Sequence, residues 1–274
     1  MKSKNVVRVA QALAGCLVIV LATPSAFAAS TWNFGGGCTD PNAPPSSVVA
    51  NTYTCTSSTL TGTATAWATN GTTTGATFAG AYLSPNGAAG FGVKNAIEGI
   101  NVTAPDHALD NNGQTDAMLL SFGVGNEISL SSISLGYINT DSDVSVLRYT
   151  KTVAPSINGK TISGLLSDGW QLVGSYANLS GSSANAVNST GLSSSWWLIS
   201  AYNVGYGTSG AANGTGSAAA NFDASADYVK LMSVAGTATR IGGNLVVPEP
   251  GTLALAGVAI LGMFGARRRK QALR

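Results

Sequence analysis

From Leu119 onward apolar and polar residues alternate with period two, as in Ile128-Ser129-Leu130, Ile133-Ser134-Leu135-Gly136-Tyr137 and Val144-Ser145-Val146. This is the pattern of β-strands that bury one face. Trp170-Gln171-Leu172-Val173, Trp196 through Tyr202 and Tyr228 through Met232 are further strand candidates, while helical spacing is nearly absent. Short strands separated by Gly, Asn, Ser and Asp turns predict an all-β fold, a single jelly-roll-like β-sandwich over about residues 70 to 240. Thr56 to Thr77 and Gly205 to Ala220 are small-residue stretches that read as loops or irregular edge strands. Asn158-Gly159, between Ile157 and Thr161-Ile162, reads as a type I′ hairpin turn.

Two apolar runs do not alternate, and they lie at the chain ends. Residues 1–28 combine a basic start (Lys2, Lys4, Arg8), an apolar run from Cys16 through Ala22, a breaker at Pro24 and the small-x-small site Ala26-Phe27-Ala28. That is a secretory signal peptide, read by the Sec machinery and cut by signal peptidase to leave Ala29 as the first residue. Leu13-Ala14-Gly15-Cys16 matches a lipidation pattern, but the apolar run follows this cysteine instead of preceding it. At the other end, Val247-Pro248-Glu249-Pro250-Gly251 leads into an apolar run from Thr252 through Gly265 and then Arg267-Arg268-Arg269-Lys270. Bases after an apolar run act as a stop-transfer signal. The run is short beside the roughly 20 residues of a full span, which suits a transient hold in the inner membrane. The two prolines keep its helix from extending back into the preceding domain. The chain thus divides into 1–28, an exported β domain at 29–245 with a Ser/Thr-rich N-terminal part, and a tail at 246–274.

This division changes the meaning of the charge. The whole chain carries +2, but the exported part holds six bases (Lys94, Arg148, Lys151, Lys160, Lys230, Arg240) against eleven acids, a net charge of about −5. Phosphate binding needs clustered Lys and Arg, so no nucleic acid partner is expected.

Of three cysteines, Cys16 leaves with the signal peptide, so Cys38 and Cys55 remain as a pair in an oxidising compartment, where a disulfide is expected. Asp106, Asp110, Asn112 and Asp116 place oxygen ligands in one short loop and mark a candidate calcium site, with a solvated Asx turn as the alternative. Asp141 and Asp143 would join it if the fold brings them near. No other cofactor is expected. His107 is the only histidine and has no evident nucleophile, since no serine lies in a Gly-x-Ser-x-Gly elbow; no catalytic residue is assigned. Paired carboxylates for sugar hydrolysis depend on spatial separation, which spacing along the chain does not reveal. Gly205-Tyr206-Gly207-Thr208-Ser209-Gly210 imitates a dinucleotide fingerprint without the helix it requires, and Asn158-Gly159-Lys160-Thr161 ends like a P-loop without its first glycine. Trp170, Tyr176, Trp196, Trp197, Tyr202, Tyr206 and Tyr228 are candidates either for the core or for stacking on sugars. Strand alternation sends Trp196 and Trp197 to opposite faces.

The tail resembles the PEP-CTERM sorting signal, with Pro248, Glu249 and Pro250 at the motif positions and the apolar and Arg-rich parts following in order. The resemblance implies recognition by an exosortase, a membrane cysteine protease, in a Gram-negative host that makes extracellular polysaccharide. The body is similar to exosortase-dependent surface proteins in Pro105 through Asn111, Gly136-Tyr137 with Thr140-Asp141-Ser142-Asp143, Gly169-Trp170, and Trp197 through Asn203. That likeness implies a fold and an address but no catalytic residues. The expectation is an exported, non-enzymatic surface or matrix protein associated with exopolysaccharide or biofilm. The alternative is a secreted carbohydrate-active enzyme on the same scaffold.

Overall fold

The alternation from Glu127 to Thr140 folds as one strand of 14 residues, and its antiparallel neighbour is the Asp227–Ile241 strand of 15 residues. The computed structural model describes residues 29–40, 51–57, 60–99, 101–207, 222, 226–241 and 244–245, all within a compact unit of Phe27–Val246. In chain order the strands are β1 (Ser30–Asn33), β2 (Cys38–Thr39), β3 (Thr52–Thr56), β4 (Thr61–Thr69), β5 (Phe78–Pro85), β6 (Phe91–Lys94), β7 (Leu109–Asp110) and β8 (Asp116–Ser121). They continue as β9 (Glu127–Thr140), β10 (Val144–Tyr149), β11 (Trp170–Tyr176), β12 (Ala184–Ala186), β13 (Trp196–Ala201), β14 (Asp227–Ile241) and β15 (Asn244–Leu245). One short helix, α1 (Ile162–Ser167), is capped by the Thr161 hydroxyl, which accepts from Gly164 N. The all-β expectation holds for the described residues, and among them no helix is long and apolar enough to cross a membrane. The signal helix and the C-terminal apolar helix expected from the sequence lie outside the described residues.

Hydrogen bonding runs without interruption through the order β11-β10-β13-β8-β4-β5-β6-β14-β9-β12, so the strands form one curled antiparallel sheet. The corner is β5. Its first half, Phe78 to Ala81, pairs with β4 and its second half, Tyr82 to Pro85, pairs with β6. Small residues at Ala79, Gly80 and Ala81 suit a strand that changes partners at a bend. The two halves meet again where Ser194, just ahead of β13, bridges to Ile128 of β9 in both directions.

Between the halves lies a core that joins Ile128, Leu130, Ile133 and Leu135 of β9 to Met118 and Leu120 of β8, and to Trp197 and Ile199 of β13. The other face of β13 is covered too. Trp196 and Leu198 pack with Tyr149, Trp170, Ile157 and Leu165 beneath α1 and its flanking loops. Both indoles are therefore buried, on opposite faces as alternation requires. The loop or irregular edge strand expected at Thr56–Thr77 is corrected: β4, inside it, is a central strand. One edge of β4 pairs with β8, and the other is shared by β3 and β5. Its alternation is Thr outward and Ala inward, with Ala64, Ala66 and Ala68 buried; a side chain on Gly62 would meet the Phe122 ring at 3.0 Å. Asn158-Gly159 does turn, but only Gly159 has positive φ, +72°. That fits a type II turn leading to a helix cap, in place of a type I′ hairpin.

Cys38 and Cys55 sit directly opposite each other in the β2–β3 pair and are disulfide-bonded. The bond spans 17 positions, a loop whose closure in the unfolded chain is worth about 3 kcal/mol. Cys55→Ala, or reduction of the purified protein, is expected to lower urea stability by about that amount. Equal stability of oxidised and reduced protein would mean that sheet pairing alone holds the N-terminal strands.

Candidate functional site

Acidic residues that are scattered along the sequence converge where β6, β7 and β8 lie side by side at the start of β14. The turn after β6 is built on Asn95, whose side-chain oxygen accepts from Ile97 N and Glu98 N at 3.0 Å each, while Gly99 N donates back to Asn95 O. This Asx turn holds Glu98 over the ends of β7 and β8. Glu98, Asp110 and Asp116 each offer one carboxylate oxygen within 4.8 Å of the others. Asp110 and Asp116 are both 0% exposed, and Glu98 is half-buried.

Few donors reach this triad. Asn112 N donates to Asp110 Oδ1 at 2.9 Å and Asn95 Nδ2 to Asp116 Oδ1 at 3.4 Å. The second oxygens, Asp110 Oδ2 and Asp116 Oδ2, are buried with no hydrogen-bond partner. Among the described residues no ion pair joins a Lys or Arg to the three, whereas Asp168 pairs with Lys151 and Lys160 on the surface. Burial, followed by the negative charge of Glu98, pushes Asp110 up to about 8. Burial with Asp110 and Glu98 raises Asp116 well above the usual carboxylate range. Glu98 rises to about 7, again mainly by burial, with its hydrogen bonds to Asn95 pulling the other way.

The four-residue set expected from the sequence is thus only half assembled. Asp110 and Asp116 converge, whereas Asn112 is exposed and contributes its backbone N–H. Asp106 is outside the triad and acts on it at longer range, raising Glu98 and Asp110. Glu98 was not legible as a member. Asp141 and Asp143 do not join this triad; they meet Asp227 in a second buried cluster, again within 4.8 Å. This second cluster is well supplied with donors. Ser142 N reaches Asp141 Oδ1 at 2.7 Å, Asn178 N reaches Asp143 Oδ1 at 2.7 Å, and Asp143 N reaches Asp227 Oδ1 at 2.6 Å. Asn111 clamps Asp227 from both sides, donating to Oδ2 at 2.5 Å and accepting from the backbone N at 2.8 Å. Its donor pattern is that of a structural knot tying the starts of β10 and β14 to the end of β7.

His107, just ahead of β7, has Nε2 against Lys230 Nζ of β14. Lys230 is only 4% exposed and sits 4.5 Å over the Tyr137 ring. Burial, with Lys94 adding to it, lowers Lys230 to about 8, and burial with Lys230 lowers His107. Among the described residues no serine, threonine or cysteine makes a hydrogen bond to the His107 ring. Of the seven aromatics considered for sugar stacking, six are buried; Tyr202 alone is half-buried, and it stacks on Phe222 at 4.3 Å. Ala29 is exposed and immediately precedes β1, so a cut between Ala28 and Ala29 leaves that strand whole. Ala26, Ala28, Pro248, Glu249, Pro250 and the bases Arg267, Arg268, Arg269 and Lys270 lie outside the described residues.

The described body is an all-β, disulfide-linked domain without a nucleophile–histidine pair, so its class is read from the C-terminal tail. Residues 246–270 match the family model of the PEP-CTERM protein-sorting motif. The chain carries a PEP-CTERM sorting motif at these residues, and the motif implies exosortase-dependent sorting to the cell surface. Comparison with curated proteins and with solved structures gives no match.

Proposed function

We propose that the β domain is a non-enzymatic surface or matrix protein of a Gram-negative bacterium, displayed after processing at the inner membrane and in contact with exopolysaccharide in a biofilm. The sorting tail at 246–270 is the observation that carries this reading. The domain's net negative charge, its disulfide and its wealth of Ser, Thr and Asn fit a hydrated extracellular setting. The two halves of the curled sheet face each other across one core, in keeping with a jelly-roll-like sandwich. Contact with a glycan would fall to polar side chains and Tyr202, since Trp170, Trp196 and Trp197 are buried.

The alternative, a carbohydrate-active enzyme, has one observation in its favour: Glu98 is half-buried and raised to about 7 beside two further carboxylates, a general-acid setting. Against it, the would-be partners Asp110 and Asp116 are fully buried, where a sugar ring does not reach. Incubating the purified protein with exopolysaccharide from its host separates the readings. Co-sedimentation without release of reducing ends is expected; release of sugar ends overturns the non-enzymatic reading.

Sorting has its own test. Peptide mapping of protein recovered from the host surface is expected to find a chain that starts at Ala29, ends near Pro250 and lacks Arg267 to Arg274. Glu249→Ala is expected to leave the Arg-rich tail attached and the protein in the membrane fraction. A surface protein that keeps its tail would make it an ordinary membrane anchor.

A further inference from the structure

We propose that Glu98, Asp110 and Asp116 form a calcium-binding site inside the exported domain. Two independent observations point there. The first is the convergence itself: three carboxylate oxygens from the turn after β6, from β7 and from β8 lie within 4.8 Å of one another. Calcium binds oxygen at roughly 2.3–2.6 Å, so two ligands on opposite sides of one ion lie up to about twice that distance apart. The second is that Asp110 Oδ2 and Asp116 Oδ2 are fully buried and have no hydrogen-bond donor. A buried carboxylate oxygen without a partner is costly and calls for a compensating group. No lysine or arginine supplies one among the described residues, whereas the neighbouring Asp141–Asp143–Asp227 cluster is filled with N–H donors.

The donor set selects the ion. All three ligands are hard carboxylate oxygens with no nitrogen or sulfur among them, which favours calcium, magnesium or manganese over zinc and copper. Magnesium demands a near-ideal octahedron at about 2.0–2.1 Å and keeps most of its waters. Two of these ligands are held at fully buried strand positions and the third on a turn, a mixed setting that suits the variable geometry of calcium. Three carboxylates exceed the charge of one divalent ion by one unit, and the half-exposed Glu98 leaves a side for water to complete the coordination. The ion would clip the turn after β6 to β7 and β8, beside the start of β14. The ion-free alternative is a pair of shared protons, in which one protonated carboxyl donates to the next.

The full-length chain, purified in detergent and stripped with EGTA, decides between them. Adding 10 mM calcium chloride is expected to raise Tm by about 5 °C, the size expected for an extracellular site of sub-millimolar affinity, and equilibrium dialysis is expected to find one bound calcium per chain. Glu98→Gln and Asp116→Asn should each weaken calcium binding at least tenfold. Glu98 sits on a half-exposed turn, so its variant keeps the test valid if Asp116→Asn does not fold. Asp168→Asn, at a surface ion pair, should bind calcium as the unaltered chain does. Absence of both calcium uptake and the Tm shift would establish shared protons and overturn the proposal. So would calcium binding that survives Glu98→Gln and is lost in Asp227→Asn, which would place the ion in the second cluster.

Discussion

Trp197→Ala is expected to cost about 3–5 kcal/mol of folding stability, seen as a fall in urea midpoint without loss of strand content at low denaturant. The indole is 0% exposed, and it belongs to both halves of the sheet at once. It sits on β13, packs in the shared core and donates from Nε1 to Ile128 O at 3.1 Å and Ser194 O at 3.2 Å. Ile128 begins the buried face of β9, so this hydrogen bond crosses the seam where the curled sheet closes on itself. Removing the ring leaves a cavity beside a backbone bridge, a site that relaxes poorly because strands enclose it on both sides. Trp197→Phe separates ring from polar tip. It keeps most of the volume, and Ile128 O still accepts from Ser194 N at 3.1 Å, so the expected loss is only about 1 kcal/mol. A cost below 1 kcal/mol for Trp197→Ala would mean that the two halves do not share this core.

The same indole shows how far the sequence could be read. Trp196 and Trp197 were assignable to opposite faces by period alone, and β9, β10, β11, β13 and β14 were legible because branched and aromatic residues contrast sharply with Ser and Thr. The central strand β4 was not. Thr-Gly-Thr-Ala-Thr-Ala-Trp-Ala-Thr alternates as strictly as any other strand, but Ala against Thr is a weak contrast, and small inward residues look like a loop. A large ring fills the space beside them: Phe122, just after β8, lies over Gly62. The triad divides in the same way. Asp110 and Asp116 share an acid-rich loop and stood out together. Glu98 lies in Asn95-Ala96-Ile97-Glu98-Gly99 with no acidic neighbour. The asparagine and glycine mark a turn, but only the lateral packing of β6, β7 and β8 brings its glutamate to the two aspartates. Asp227 escaped for a similar reason: it opens a strand far along the chain and reaches Asp143 only through β-sheet pairing.

Asp227 also makes the stability of the domain depend on pH in an unusual direction. Burial raises its carboxyl to about 8, with Asp143 and Asp141 adding to the shift, while the Asp143 amide and Asn111 oppose it. Asp110 and the Tyr202 ring are further titratable groups that its charge reaches. The unfolded chain releases this proton near pH 4, whereas the folded protein holds it until about pH 8. The folded state therefore binds more protons across that window. The contribution of Asp227 is fully present below about pH 4 and is lost progressively as pH rises through about 8, with a slope of about 1.4 kcal/mol per pH unit for one such group. In metal-free buffer the protein is expected to be more stable at pH 5 than at pH 8. Most extracellular domains that rely on ionised, paired carboxylates run the other way. Asp227→Asn isolates the group. Its amide meets Asn111 less well than the acid does, so the variant starts lower, but that penalty does not vary with pH. The diagnostic is the slope: urea unfolding of the variant between pH 5 and pH 8 should be flatter by about one proton's worth. An unchanged slope would show that Asp227 is ionised in the folded protein, held by a cation or by donors stronger than those of Asn111 and Asp143.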